Sequence, residues 1–333
     1  MRDNPIPFIV SAADIVTFQA CRRRYLYSRK WRALRWLPKL LLDACLRQGI
    51  IDLGQGKPLA DVISSATTRF YGAASSPGLD LPPGIDPYKL AIDHIACLET
   101  LLTTLSRRPL ATTIPVKSKV LFSEAEWAFT SYQDANGELH RTITVSDYGE
   151  DTLTREMHSW YVVGDICVAK KPMHLHFIEI GQIRDGRRHT PWCKAMEHAF
   201  IAKRIKFQNK GAKPLQGNWK SVWLSESSVW KAEDWCDVLF HEDVPDTLMH
   251  DVVIEVPSKE RVADTLQQIL IEARSMQEWE QAVQNPNLVP MTRAACDFPY
   301  TCSFVPCCYG PQVDVDVAGL GIYKPRLPTT IVP

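Results

Sequence analysis

Two groups of residues in this chain have the types and spacing to do chemistry, one made of thiols and one of carboxylates. Cys21 lies in FQACRRRYLY, while Cys296, Cys302, Cys307 and Cys308 crowd into CDFPYTCSFVPCCYG near the other end. Zinc fingers and ribbons take paired ligands close together in sequence; one cysteine far from a compact group instead describes a metal staple that closes a fold on itself. The one-plus-three layout favours an iron-sulfur cluster, and the alternatives are zinc, which takes the same thiolates, or plain buried thiols with no metal. Cys307 and Cys308 are adjacent and do not readily point at one cluster. Five residues separate Cys302 from Cys308, as five separate Cys296 from Cys302, so Cys308 is the expected ligand. The carboxylate group is Asp165, in Gly164-Asp165, with Glu179 after thirteen intervening residues in LHFIEIG. Two carboxylates at the ends of neighbouring strands, helped by Glu124 or Glu126 from a preceding strand, have the hard oxygen donors that hold Mg²⁺ or Mn²⁺. Such ions activate water and stabilise charge on a phosphodiester in transfer. The plainer alternative is a pair of ordinary strand-end acids.

The elements that must position these residues follow from local pattern. Ser11 in Ser-Ala-Ala-Asp is a helix cap, opening a helix through Phe18 to Arg24. LPKLLLDACLRQGIIDLG and DPYKLAIDHIACLETLLTTL read as further helices, so the first hundred residues are mainly helical. From about residue 115 the pattern changes to strands: VKSKVLFSEAEWAF, HRTITVSDY, HSWYVVGDICVA and MHLHFIEIGQI, with an Asn-Gly turn in DANGEL. Lys194 to Phe207 reads as a helix, and ADTLQQILIEARSMQEWEQAV as an amphipathic helix. The expected fold is α/β, a central mixed sheet flanked by helices and closed by the cysteine-ligated cluster joining the N- and C-terminal regions. Residues 1–110 form the helical region with the first cysteine, 111–215 the α/β core and 216–333 a helical region with the cysteine-rich cap, together one integrated domain.

Basic residues suggest contacts with nucleic acid. CRRRYLYSRKWRALRW alternates arginine with aromatics, and Arg22, Arg23 and Arg24 suit phosphate pairing beside stacked bases. The alternative is a helix whose Tyr and Trp pack inward while the arginines stay solvated. Arg184, Arg187 and Arg188 in RDGRRHTPW lie on a turn just after the Glu179 strand, where they suit phosphate contact or form a solvated hairpin tip. His174 and His176 alternate on one strand and so share a face.

Composition excludes little. The 333 residues are 45% hydrophobic and 23% charged, and 38 basic residues balance 38 acidic ones, so bulk charge names no partner. No stretch reaches the length of a membrane span and no secretory leader is evident, so the cytoplasm is the expected location. Ten cysteines there are a metal site plus scattered buried thiols, with Cys45, Cys97, Cys167, Cys193 and Cys236 in the second class.

The lone cysteine followed by Arg-Arg-Arg-Tyr, the Gly164-Asp165 pair, the acidic partner Glu179 and the terminal cysteines together resemble the PD-(D/E)XK nuclease superfamily, in its iron-sulfur exonuclease branch of CRISPR-associated, AddB-like and phage proteins. The resemblance implies a [4Fe-4S] cluster on Cys21, Cys296, Cys302 and either Cys307 or Cys308, and a Mg²⁺- or Mn²⁺-dependent site at Asp165 and Glu179. It also implies DNA as substrate, single-stranded or with ends, in recombination, repair or phage DNA metabolism, and a helicase or other protein as partner. The sequence departs from the family where a lysine belongs, two positions after the acid: Gly181 stands there, and neither Gln182 nor Arg184 replaces it. Asp52 in GIIDLG is the only candidate for the family's early histidine ligand, and the usual glutamine and tyrosine helix is replaced by PWCKAMEHAFIAKRIKF. Either Lys170, Lys171 or Lys194 folds back towards Glu179 and the chain cleaves DNA, or it is a degenerate nuclease-like DNA-binding or scaffold subunit of a larger complex.

Overall fold

The computed structural model describes residues 8–33, 38–74, 95, 98–99, 101–103, 105–106, 114–122, 125–145, 149–179, 182–184, 187–189, 249–292, 304, 307–308 and 323–325. The chain enters on β1 (Phe8–Ser11) and turns into α1 (Ala12–Ala20). Ser11 caps that helix reciprocally: its hydroxyl accepts from the Asp14 N–H at 3.3 Å, and its own N–H donates to Asp14 Oδ2 at 3.0 Å. Helix does not run on to Arg24 as expected. Cys21 is extended (φ −162°, ψ 110°) and separates α1 from α2 (Arg22–Lys30). A short strand β2 (Trp31–Ala33) and the helices α3 (Pro38–Gly54) and α4 (Leu59–Ala74) follow, matching the helical first region.

The strands β3 (Ile114–Pro115), β4 (Lys119–Phe122), β5 (Ala125–Ala128), β6 (Tyr132–Gln133), β7 (Leu139–Val145), β8 (Met173–Glu179), β11 (Met249–Ile254) and β1 make two mixed sheets, ordered β1-β5-β4 and β11-β8-β7-β6-β3. The expected Asn-Gly turn joins β6 to β7, with Gly137 at φ +77°, a conformation glycine adopts without a side-chain clash. Strands β9 (Gln182–Arg184) and β10 (Arg187–His189) form a separate hairpin. The architecture is therefore mixed α/β.

One element differs in kind from the sequence reading. HSWYVVGDICVA is not a strand: after α5 (Glu150–Met157) it forms α6 (Trp160–Ala169). The reason is topological. β7 and β8 run parallel, and parallel neighbours need a long crossover, which α5 and α6 supply. Helix α6 is apolar nearly all round because it is packed on both sides, so its sequence shows no helical stripe. Val162 and Ile166 meet Leu139, Met173, Leu175 and Phe177 on the five-stranded sheet. Val168 joins a second core with Ile15, Phe18, Tyr25, Leu26 and Trp127, completed by Ile269, Ala273 and Met276 of α7 (Lys259–Ala282). Cys45 and Cys167 are buried thiols, as expected; Cys97, Cys193, Cys236 and the expected helix from Lys194 to Phe207 lie outside the described residues.

The two ends of the fold are clasped. Tyr25 of α2 donates to Glu280 of α7, and Arg29 pairs with the same carboxylate at 2.8 Å. Gln19 reaches Glu272 at 2.8 Å, Lys30 the Gln284 carbonyl at 2.8 Å, and β12 (Tyr323–Pro325) pairs with β2. The N- and C-terminal regions thus meet through directed hydrogen bonds as well as through the shared core.

Candidate functional site

Asp165 occupies the middle of α6, fully buried between the two cores. Its Oδ1 accepts from the Trp127 indole N–H at 2.9 Å; its Oδ2 accepts from the N–H groups of Thr130 (3.1 Å) and Ser131 (3.0 Å) and from the Thr130 hydroxyl (3.2 Å). That hydroxyl in turn accepts from Arg141 Nη1 at 2.8 Å, and Arg47 Nη1 holds the Thr130 carbonyl at 2.8 Å. Burial pushes the Asp165 carboxyl above its ordinary range, against the hydrogen bonds from Trp127, Ser131 and Thr130. Gly164 belongs to the same device: a Cβ there would stand 2.7 Å from Trp127 Cζ2, so only glycine lets the indole lie on the helix and reach the carboxylate. The Gly-Asp pair thus sits inside a helix and fixes the β5–β6 connection to α6, where a strand end opening on a metal site was expected.

Glu179 ends β8, as expected, and Gly181 lies outside the described residues. The turn 170–172 sends the chain back from α6 along β8. Asp165 is four residues before the end of α6 and Glu179 six residues past the start of β8. At 1.5 and 3.3 Å per residue these are offsets of about 6 and about 20 Å, so the two positions lie roughly 14 Å apart along that direction. The structure does not bring them together. Lys170 and Lys171 are at the opposite end of β8 from Glu179, and Lys194 and Glu124 lie outside the described residues. Glu126 accepts from Ser118 Oγ at 2.6 Å, and strand alternation puts it on the face of β5 opposite buried Ala125 and Trp127, hence away from Asp165. Asp52 is taken up by Lys57 (2.7 Å) and Gln48 (3.0 Å).

The thiols are placed in part. Cys21 is buried at the α1–α2 junction. Buried Cys307 and half-buried Cys308 form a turn on the Phe304 carbonyl, and Phe304 stacks on Tyr27 of α2 at 5.5 Å. Burial, then Cys307 and Cys308 beside it, push the Tyr27 phenol up to about 12. The C-terminal cysteine turn therefore packs on the helix that Cys21 precedes, but against Tyr27, about 9 Å along the axis from Cys21. Cys296 and Cys302 lie outside the described residues, and among the described residues no three metal-binding side chains converge.

The arginines of α2 are largely committed to the clasp. Arg23 donates to the carbonyls of Val289 (2.6 Å) and Asn287 (2.8 Å), and Arg22 lies over the rings of Phe18 (5.5 Å) and Trp279 (5.2 Å). Arg24 is half-buried, near Tyr161 of α6. Tyr25 and Tyr27 do turn inward, while half-buried Arg23 is bonded to the C-terminal region and Arg22, though exposed, lies over the Trp279 ring. Arg184 and Arg187 are paired in the β9–β10 hairpin, directly after β8, with Arg188 next to them.

A basic surface that pattern reading missed gathers at the C-terminus of α6. Lys119 of β4 reaches the Ala169 carbonyl at 3.5 Å, beside Lys170 and Lys171, with Lys117 two residues back. All four side chains are exposed, and cations there complement the negative helix terminus. Only the fold unites them, since the pairs Lys117/Lys119 and Lys170/Lys171 are some fifty residues apart. Comparison of the chain with profiles of known protein families, with curated proteins and with solved structures finds no match in any of the three.

Proposed function

We propose that this chain is a non-cleaving, nuclease-like nucleic-acid-binding module, working as a DNA-binding or scaffold subunit alongside another protein. The observation that carries the reading is the state of Asp165: a carboxylate with four protein donors and no exposure has no lone pair turned outward for a metal ion. The glycine at position 181, where the resemblance places a lysine, supports it independently, because that lysine is the group that would position water and offset phosphate charge. Lys117, Lys119, Lys170 and Lys171 form the surface that meets the phosphate backbone. Exposed ammonium groups of this kind bind without reading sequence, which fits a protein that meets DNA ends or single strands of any composition. Equilibrium binding of a fluorescent forked DNA at low salt tests this. We expect affinity that drops in Lys170→Ala/Lys171→Ala, whereas no binding at all would leave only the scaffold role.

One observation favours a second reading, the iron-sulfur exonuclease: the Cys307–Cys308 turn packs on α2, the helix Cys21 precedes. The ligand set would be Cys21, Cys296, Cys302 and Cys308, or the same thiolates around zinc. The described thiols alone do not converge on one ion, so no step of the proposed function runs through a cluster. Iron and zinc analysis of anaerobically purified protein, with absorbance in the visible region, decides occupancy.

A further inference from the structure

One face of the five-stranded sheet packs on α6; the opposite face carries an array of imidazoles and carboxylates that the proposed function leaves unused. His140 of β7 is the register partner of His174 on β8, and His176 of β8 is the partner of Asp251 on β11. His176 Nδ1 meets Asp251 Oδ1 at 2.8 Å, and His176 Nε2 meets His140 Nδ1 at 3.0 Å. His140 Nε2 then faces Asp134 Oδ2 at 3.7 Å, too far for a hydrogen bond, and that buried nitrogen has no partner. Asp134 is held in place, its Oδ1 accepting from the N–H groups of Asn136 (3.0 Å) and Glu138 (2.9 Å). The other groups that face His140 are the Tyr132 ring, stacked at 5.7 Å, and the His174 ring, stacked at 4.7 Å and itself held by Glu138 at 2.9 Å.

The four side chains Asp251, His176, His140 and Asp134 thus form a line with three links, and each link needs one hydrogen. Both carboxylates are acceptors only, and each neutral imidazole carries a single N–H. Two hydrogens cannot close three links. The observed geometry is that of the neutral line, with two links closed and the His140–Asp134 link open. We propose that this line takes up one proton as a unit, and that the added proton closes the His140–Asp134 link and ties β11, through β8 and β7, to the β6–β7 turn. Burial, then the neighbouring His176 and His174, hold His140 below its ordinary value against the pull of Asp134. The proton therefore enters on acidification below the ordinary imidazole range of about 6.5.

Nitrogen-15 NMR of the histidine rings in the full chain tests this. We expect His140 and His176 to be neutral Nδ1–H tautomers at neutral pH and to titrate in one shared step. Asp134→Asn is nearly isosteric: its Oδ1 keeps the two turn hydrogen bonds, and its Nδ2–H gives up the long 3.4 Å bond that Oδ2 accepts from the Asn136 amide while supplying the missing hydrogen to His140. It should lower the proton affinity of the shared step by about tenfold or more, one pKa unit being about 1.4 kcal/mol. An Nε2–H tautomer of His140 at neutral pH, separate titration of the two rings, or an unmoved step in Asp134→Asn overturns the proposal. So does stoichiometric binding of Zn²⁺ that shifts both ring nitrogens, which would assign them to a metal. Should Asp134→Asn fail to fold, the tautomers and titration of the unaltered protein decide alone.

Discussion

Replacing Asp165 with alanine separates a structural carboxylate from a metal ligand. Three N–H groups, from the Trp127 indole and the Thr130 and Ser131 backbone, would be stranded at a site with no exposure, while the Thr130 hydroxyl is free to turn elsewhere. An unsatisfied buried donor costs about 1–3 kcal/mol, and relief from burying a charge offsets part of the sum, which leaves a net loss of about 3–5 kcal/mol. With an unfolding entropy near 2.1 cal/mol/K per residue over 333 residues, about 0.7 kcal/mol/K, the melting temperature falls by about 4–7 °C if the chain unfolds as one unit. Urea denaturation followed by circular dichroism, with thermal melts beside it, measures both. Asp165→Asn is the milder companion: an amide keeps the three bonds at Oδ2 and opposes only the indole, for about 1–3 kcal/mol. A carboxylate that lines an open metal site costs no stability when removed. If Asp165→Ala is as stable as the unaltered chain, the structural role argued for Asp165 is refuted.

Gly164→Ala should cost about 1–3 kcal/mol by driving a methyl group to within 2.7 Å of the Trp127 ring, and quenching or a shift of tryptophan fluorescence should report the displaced indole. Lys170→Ala/Lys171→Ala should flatten the salt dependence of DNA binding by about 1.4 to 1.8 units of log K against log salt, and an unchanged slope would place both residues outside the interface. His140 has a folded pKa below its unfolded one, so the unfolded chain binds more protons there and stability falls as pH drops below about 6.5. His140→Gln should remove that part of the slope, and a slope that persists unchanged would assign it to other groups.

What was legible in the sequence is what local chemistry decides. Ser11 and Asp14 cap α1 within four residues, Asn136-Gly137 makes its hairpin, and the alternation of β7 and β8 and the long stripe of α7 carry through to the structure. What was not legible depends on distant partners. The run WYVVGDICVA is apolar on every side because two cores meet on it, so neither period stands out, and Asp165 looks like a site acid until Trp127 and Thr130 close over it from another element. Arg23 looks like a phosphate ligand until the Asn287 and Val289 carbonyls arrive from the far end of the chain. The lysines at the end of α6 and the His140–His176 line exist only once β4, β7, β8 and β11 are assembled.

The claim that the module binds nucleic acid without cutting it is tested most directly by one gel. End-labelled forked and single-stranded DNA would be incubated with anaerobically purified full chain under Mg²⁺ and then Mn²⁺, at protein concentrations where binding of the same DNA is saturated, with Gly181→Lys run alongside. The account predicts bound but intact DNA in every lane, Gly181→Lys included, because a lysine at that position does not free the buried Asp165 carboxylate from its four protein donors. Metal-dependent products from the unaltered chain that vanish in Glu179→Ala would contradict it and return the protein to the nucleases.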